Sequence, residues 1–211
     1  MTENTDLWQI ERELTEQGMG VICGCDEAGA GPLAGPVYAA AVILPLCCRI
    51  EGLNDSKKLT EKKREALYRV ITQKAVCWAV AWVEASEIDA TDILSARMKA
   101  MQQAINALDI QPEVALVDGN RDKGRSAAIT TPHKLVVGGD GKSASIAAAS
   151  ILAKVSRDRF VSRELDARYP EYRFAMHKGY GTKLHYQMLD AYGPCPEHRR
   201  SFLKKWEEKR A

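Results

Sequence analysis

Apolar positions along this chain fall into short runs of two kinds, one with strand character and one with helical spacing, and the two kinds interleave. Val21-Ile22-Cys23-Gly24-Cys25 is a brief apolar run that stops at Asp26-Glu27, followed by the glycine-rich Gly29-Ala30-Gly31-Pro32-Leu33-Ala34-Gly35-Pro36. This reads as a buried strand feeding a tight loop. Val37 to Leu44, bounded by Pro36 and Pro45, is a second strand placed to pair with the first as a hairpin. Leu59 to Ile71 is charged, with Leu67, Val70 and Ile71 on one face, and predicts a surface helix capped by Thr60. Val76 to Val83 alternates large and small residues as a strand packed on unequal faces does. From Thr91 to Leu108, apolar residues at 94, 98, 101, 105 and 108 keep helical spacing, so a long amphipathic helix follows.

Val114 to Val117 then ends at Asp118-Gly119, and Leu135 to Val137 leads to Gly138-Gly139-Asp140; both are short strands running into an acid. Ser143 is placed to cap a long helix extending as far as Arg168, and Thr182 to Tyr192 is a further helix closed by Gly193. Early strands interleaved with helices and a helical last quarter predict a mixed sheet covered by helices, with a small helical C-terminal part.

Composition narrows the class. At 211 residues, 45% hydrophobic and 27% charged, the chain has the size and make-up of one folded domain, and its stability does not call for oligomerisation; a monomer is expected. The longest apolar stretch, Val37 to Cys48, carries a proline and falls short of the roughly 20 residues that span a bilayer. The N-terminal segment is acidic and polar, without the features of a secretory signal, so a cytoplasmic location is expected. The six cysteines (23, 25, 47, 48, 77, 195) include no C-x-x-C and read as free thiols. Charge is unevenly spread: residues 1–153 carry 16 Lys+Arg against 20 Asp+Glu (−4), and residues 154–211 carry 14 against 8 (+6). That division suits a polyanion held by one part and divalent cations held by the other.

Three apolar runs end in carboxylates, giving Asp26 with Glu27, Asp118, and Asp140. Strand ends facing a crevice are where sites assemble in open α/β sheets. Acids converging there repel one another unless cations neutralise them, and all-carboxylate donors match Mg²⁺ or Mn²⁺ rather than zinc. Two such ions, roughly 3.5–4 Å apart, stabilise the attacking and leaving oxygens of a phosphoryl displacement. Taken singly, Asp118 and Asp140 read equally well as turn formers or caps. Asp26 and Glu27, as strand neighbours, should point to opposite faces unless the strand ends or twists there. Gly29-x-Gly31-x-x-Ala34 also matches a dinucleotide-binding pattern, but Pro36 and a β-like run follow where a helix should begin, and no G-K-[S/T] marks a P-loop.

Six blocks in order, Gly24 to Pro36, Leu53 to Leu59, Val117 to Asn120, Ser145 to Val155, His177 to Tyr180 and His198 to Phe202, resemble type 2 ribonuclease H, the ribonuclease HII family. The resemblance implies a ribonuclease H-like catalytic domain over residues 19–168, after a polar leader (1–18), with a helical substrate-binding portion (169–211) packed on the same body. It implies cleavage of RNA in RNA–DNA hybrids and incision 5′ of single ribonucleotides in duplex DNA, leaving 3′-hydroxyl and 5′-phosphate ends and serving ribonucleotide removal in replication and repair. The family's metal-binding acids fall on Asp26, Glu27, Asp118 and Asp140, with Asp26 bridging two divalent ions. Its glycine-arginine-glycine loop, whose backbone meets the ribose 2′-hydroxyl, falls on Gly29-Ala30-Gly31. Tyr180 matches the tyrosine that stacks on the sugar beyond the ribonucleotide, and Lys57 and Lys58 would contact phosphates. His177 and His198 are read as structural. In two places the chain departs from the pattern: Ala30 stands where the loop arginine is usual, and Gly138 stands where a lysine precedes the fourth acid.

Two other readings stay open on residues alone. A nuclease of the same fold that ignores the 2′-hydroxyl would cleave an all-DNA duplex as well. A non-catalytic nucleic-acid-binding module would bind in EDTA and show no metal-dependent turnover.

Overall fold

The computed structural model describes residues 6–53 and 59–210. Its centre is a five-stranded sheet in the order β3-β2-β1-β4-β5, built from β1 (Ile22–Ala28), β2 (Val37–Ile43), β3 (Cys77–Val83), β4 (Val114–Asp118) and β5 (His133–Val136). The expected hairpin is present, β1 and β2 pairing antiparallel with Asp26 opposite Ala40. β4 lies parallel to β1, and β5 parallel to β4. The β1–β4 ladder runs only from Ile22↔Val114 to Cys25↔Val117. Beyond that rung β1 continues to Ala28, and the two strands separate at the acids.

Alternation along the strands divides the core into two layers. Cys23 and Cys25 of β1 and Val37, Ala39, Ala41 and Ile43 of β2 pack with Met98, Met101, Ala104 and Ile105 of α4 (Ile93–Asn106). On the other face, Ala40 and Val42 of β2 meet Ala148, Ala149, Ile151 and Leu152 of α5 (Ala144–Phe160), with α2 (Glu61–Lys74) outside it. Helix α5 sits against β1 so closely that a Cβ on Gly24 would lie 2.1 Å from the Ser145 carbonyl carbon. No side chain fits there.

The expected caps are in place. Thr60 Oγ1 accepts from Lys63 N at 3.3 Å, Ser143 Oγ from Ile146 N at 3.2 Å and Thr182 Oγ1 from His185 N at 3.3 Å. The helix after Ser143 reaches Arg168 as expected, through a wide π-type turn at Val161–Leu165 and the short α6 (Asp166–Arg168). Helix α4 starts after Asp92, whose side chain accepts from Ser95 N at 2.9 Å, rather than at Thr91.

Two helices were not expected from the pattern. Within the polar leader, α1 (Gln9–Glu16) docks on the start of α5, and α3 (Ala85–Ala90) fills the link after β3. The C-terminal part is helical, with α7 (Phe174–His177), α8 (Lys183–Tyr192) and α9 (Arg200–Glu208). An isolated bridge between Ala34 and His198 ties it back to the loop after β1. Among the described residues no helix is long and apolar enough to cross a membrane.

Candidate active site

Where β1 outruns β4, a cleft of about 230 Å³ opens, and Asp26, Glu27 and Asp118 all line it. The two neighbouring acids of β1 do face opposite sides of the sheet, and each is met by the helix on its own side. Asp26, on the α5 face, is hydrogen-bonded by the Ser150 side chain of α5 and by the backbone N–H of Glu27 at 2.7 Å. Glu27 follows Cys23 and Cys25 onto the α4 face, where Arg97 of α4 holds it at 2.6 Å. Both reach the cleft because the sheet stops there on the β4 side.

Burial pushes the Asp26 carboxyl well above the usual carboxylate range, and the charges of Glu27 and Asp118 push it further in the same direction. A group so disposed gains from a cation nearby, which makes the donor chemistry of the cleft suitable for a hard divalent ion. Asp118, at the end of β4, accepts from Gly139 N at 2.6 Å. Asp140 is buried in the 3₁₀ turn Gly139–Gly141, next to that donor, and is not one of the cleft-lining residues. As the side chains stand, no group of three acids, histidines or cysteines among the described residues is close enough to share an ion. The sequence expectation was of four acids drawn tightly together; in the structure three border one cleft and the fourth lies within the turn whose Gly139 N–H bonds Asp118.

The loop Gly29-Ala30-Gly31 and Tyr180 form a further part of the cleft wall. Gly29 has φ +90°, and a Cβ there would lie 2.0 Å from Arg157 Nε, so both backbone geometry and the packed arginine require glycine. Two wholly buried arginines, neither singled out in the sequence, shape this wall. Arg157 donates to the carbonyl oxygens of Pro36 (3.0 Å), Lys178 (3.1 Å) and Ala34 (3.2 Å). Arg199 donates to those of Gly29 (2.7 Å), Ala30 (3.0 Å) and Gly35 (2.8 and 3.0 Å). Burial, and then the nearby Arg157 charge, pull the Arg199 guanidinium down to about 9.

Tyr180 is 40% exposed, with Lys154 Nζ 5.5 Å and the Arg157 guanidinium 5.8 Å from its ring centre. It is available for stacking rather than buried in a core. Lys154 also lines the cleft and pairs with Asp158 at 2.8 Å. Ser150, Lys154 and Asp158 stand four residues apart on an otherwise alanine-rich buried helix, a polar stripe that was readable in the sequence. Lys57 and Lys58 lie outside the described residues.

Behind Tyr180, three histidines form a buried row. His177 and His185 stack at 4.2 Å, His185 Nε2 lies 2.9 Å from His198 Nε2, and His198 Nδ1 accepts from Cys195 N at 3.0 Å. Burial lowers all three, His185 to about 4 and His198 to about 3, so they stay neutral at pH 7. The row supports the backbone at Tyr180, whose carbonyl lies 3.0 Å from His185 Nδ1.

Residues 23–207 match the family model described as Ribonuclease HII. The chain belongs to the ribonuclease HII family. The ribonuclease HII of Caldicellulosiruptor saccharolyticus is 50% identical over 199 residues, covering 94% of this chain and 95% of that protein. That of Dechloromonas aromatica is 55% identical over 184 residues, covering 87% and 91%. Among solved structures, ribonuclease H2 from Pyrococcus horikoshii superposes with a TM-score of 0.71 at 27% identity, covering 90% of this chain and 98% of that one. Ribonuclease HII from Archaeoglobus fulgidus, solved as a complex with PCNA, gives 0.67 at 25% identity, covering 89% and 94%. Ribonuclease HII membership makes the chain a hydrolytic nuclease, an endoribonuclease of RNA–DNA hybrids, on a ribonuclease H-type sheet flanked by helices.

Proposed function

We propose that this ribonuclease HII incises RNA–DNA hybrids, and DNA duplexes carrying single ribonucleotides, on the 5′ side of a ribonucleotide. The bond from phosphorus to the 3′-oxygen of the preceding nucleotide breaks, water supplies the new oxygen on phosphorus, and the ends are 3′-hydroxyl and 5′-phosphate. The observation that carries this reading is the cleft itself, lined by Asp26, Glu27 and Asp118 together with the Gly29-Ala30-Gly31 loop and Tyr180.

On this reading Asp26, Glu27, Asp118 and Asp140 hold two divalent ions, Mg²⁺ or Mn²⁺. When bound, such ions lower the pKa of water and stabilise charge on the attacking and leaving oxygens. The chain's own residues do the rest. Ser150 and the Glu27 N–H orient the Asp26 carboxylate. Gly139 N–H fixes Asp118, and through it the turn that carries Asp140. The glycine loop, its Gly29 and Ala30 carbonyls already taken by Arg199, presents its remaining backbone groups and an unobstructed Gly31 to the sugar. A 2′-hydroxyl there separates RNA from DNA. Tyr180 stacks on the neighbouring sugar, Lys154 of the cleft lining meets a backbone phosphate, and the family resemblance assigns Lys57 and Lys58 to phosphates as well. The protein acts as a cytoplasmic monomer in ribonucleotide removal during replication and repair.

The test is incision of a duplex with one embedded ribonucleotide, in Mg²⁺ and in Mn²⁺, beside an all-DNA duplex. Cleavage of the first alone is expected, with 5′-phosphate products. Asp118→Asn should lower the rate by roughly 10²-fold or more, the scale of losing one charge-stabilising group, with circular dichroism unchanged. Equal cleavage of both duplexes would reject the sugar-reading role, and turnover in EDTA would reject the ions.

A further inference from the structure

Arg97 reaches the candidate site from α4, a helix that none of the site-bearing sequence blocks includes. It stands between Ala96 and Met98, both essentially fully buried in the core beneath the sheet. Its guanidinium sits 2.6 Å from Glu27 Oε1, and the two side chains are only 27% and 13% exposed. Limited solvent makes this contact stronger than a surface ion pair. It is still an unfinished pair, because Arg97 Nε is buried with no hydrogen-bond partner among the described residues. A buried donor left unsatisfied raises the energy of the arrangement and favours its exchange for another.

Position matters as much as strength. Asp26 is held from the α5 face and Glu27 from the α4 face, so an ion shared by both needs the Glu27 carboxylate to turn toward the end of the strand. With Glu27 engaged by Arg97, three acids are not gathered closely enough to share an ion.

We propose that Arg97 is a positioning residue that acts as an internal competitor for the Glu27 carboxylate, holding it while the divalent ion is absent and yielding it when the ion binds. This rests on the reading that Glu27 is an ion ligand. The guanidinium screens Glu27 from Asp26 and Asp118 in the ion-free protein, and that same charge weakens ion affinity. A weakly attracted cation does not displace it; a small divalent ion of high charge density does.

The experiment is Mn²⁺ titration of the full chain, without nucleic acid, followed by electron paramagnetic resonance of the free ion. Arg97→Ala should bind Mn²⁺ roughly tenfold more tightly than wild type, the effect of releasing the Glu27 carboxylate from its ion pair at intermediate dielectric. Arg97→Lys, which keeps the charge, should stay near wild type. Arg97→Gln serves in place of the alanine variant should that fail to fold, with the same expectation. In a Glu27→Gln background, removing Arg97 should change affinity much less. Wild-type affinity in Arg97→Ala, or an equal gain in the Glu27→Gln background, would overturn the competition while leaving the ion-site reading standing. No Mn²⁺ binding by any variant would overturn both.

Discussion

Ala30 stands in the glycine loop at the position where the family resemblance places an arginine. It is partly exposed on the cleft wall, and its carbonyl is already secured by Arg199 at 3.0 Å. Ala30→Arg should therefore lower the Michaelis constant for a single-ribonucleotide duplex by roughly three- to tenfold, the scale of one added phosphate contact, and steepen the salt dependence of binding. Steady-state kinetics at two ionic strengths checks this, and an unchanged Michaelis constant would deny the position a role in binding. The acids themselves were legible in the sequence because each interrupts an apolar run at a strand end. Their two-sided disposition was also legible, from strand alternation. Arg97 was not, since an arginine on an amphipathic helix carries no local sign of a partner 70 residues earlier in the chain. Arg157 and Arg199 were hidden for the same reason: their partners are backbone carbonyls, which leave no mark on the residue pattern.

At the level of elements, the strands and the long helices follow from periodicity and caps, and the departures come where stability has another source. Helix α1 has few apolar residues, Ile10 and Leu14 among them, so its pattern resembles a polar leader. Beside the buried Leu14, a buried carboxylate secures it. Glu11 Oε1 accepts from Ser143 Oγ at 2.6 Å and from Ser145 N at 3.1 Å, sitting at the N-terminal end of α5 where backbone donors lack helical partners. Ala144 N also donates to Leu7 O at 2.8 Å. Glu11→Ala should cost about 1–3 kcal/mol, as expected for a lost cap with buried donors left unsatisfied. A urea titration should show the midpoint fall with little change in slope. Because α5 carries Ser150, Lys154 and Arg157, the loss should also reach the cleft, and a midpoint equal to wild type would show that α1 contributes nothing to α5.

For the whole molecule, the histidine row makes stability depend on pH. In the unfolded chain histidine titrates near 6.5, whereas burial holds His185 at about 4 and His198 at about 3 in the fold. Between pH 6.5 and those values the unfolded chain takes up protons that the folded protein does not, so stability is full above pH 6.5 and declines as pH falls. Asp26 acts with the opposite sign, because its raised folded value means the native state binds a proton first on acidification. The histidines' share is a lower urea midpoint at pH 5.0 than at 7.5. His198→Gln should flatten that dependence, and an equal slope in the variant would place the acid sensitivity elsewhere. The sheet was readable because its strands are local features. The C-terminal histidine and arginine network was not, because it is assembled by contacts between distant segments such as Ala34 and His198.

Arg199 also bears on the order in which the enzyme is made. The backbone that would meet the ribose is fixed by a guanidinium translated some 170 residues later, the sequence span between Gly29 and Arg199. A nascent chain on the ribosome can lay down all five strands, whose last residue is Val136, well before that arginine emerges. On the proposed reading, the loop that would tell the two kinds of sugar apart is secured late in synthesis, after the strands have been laid down.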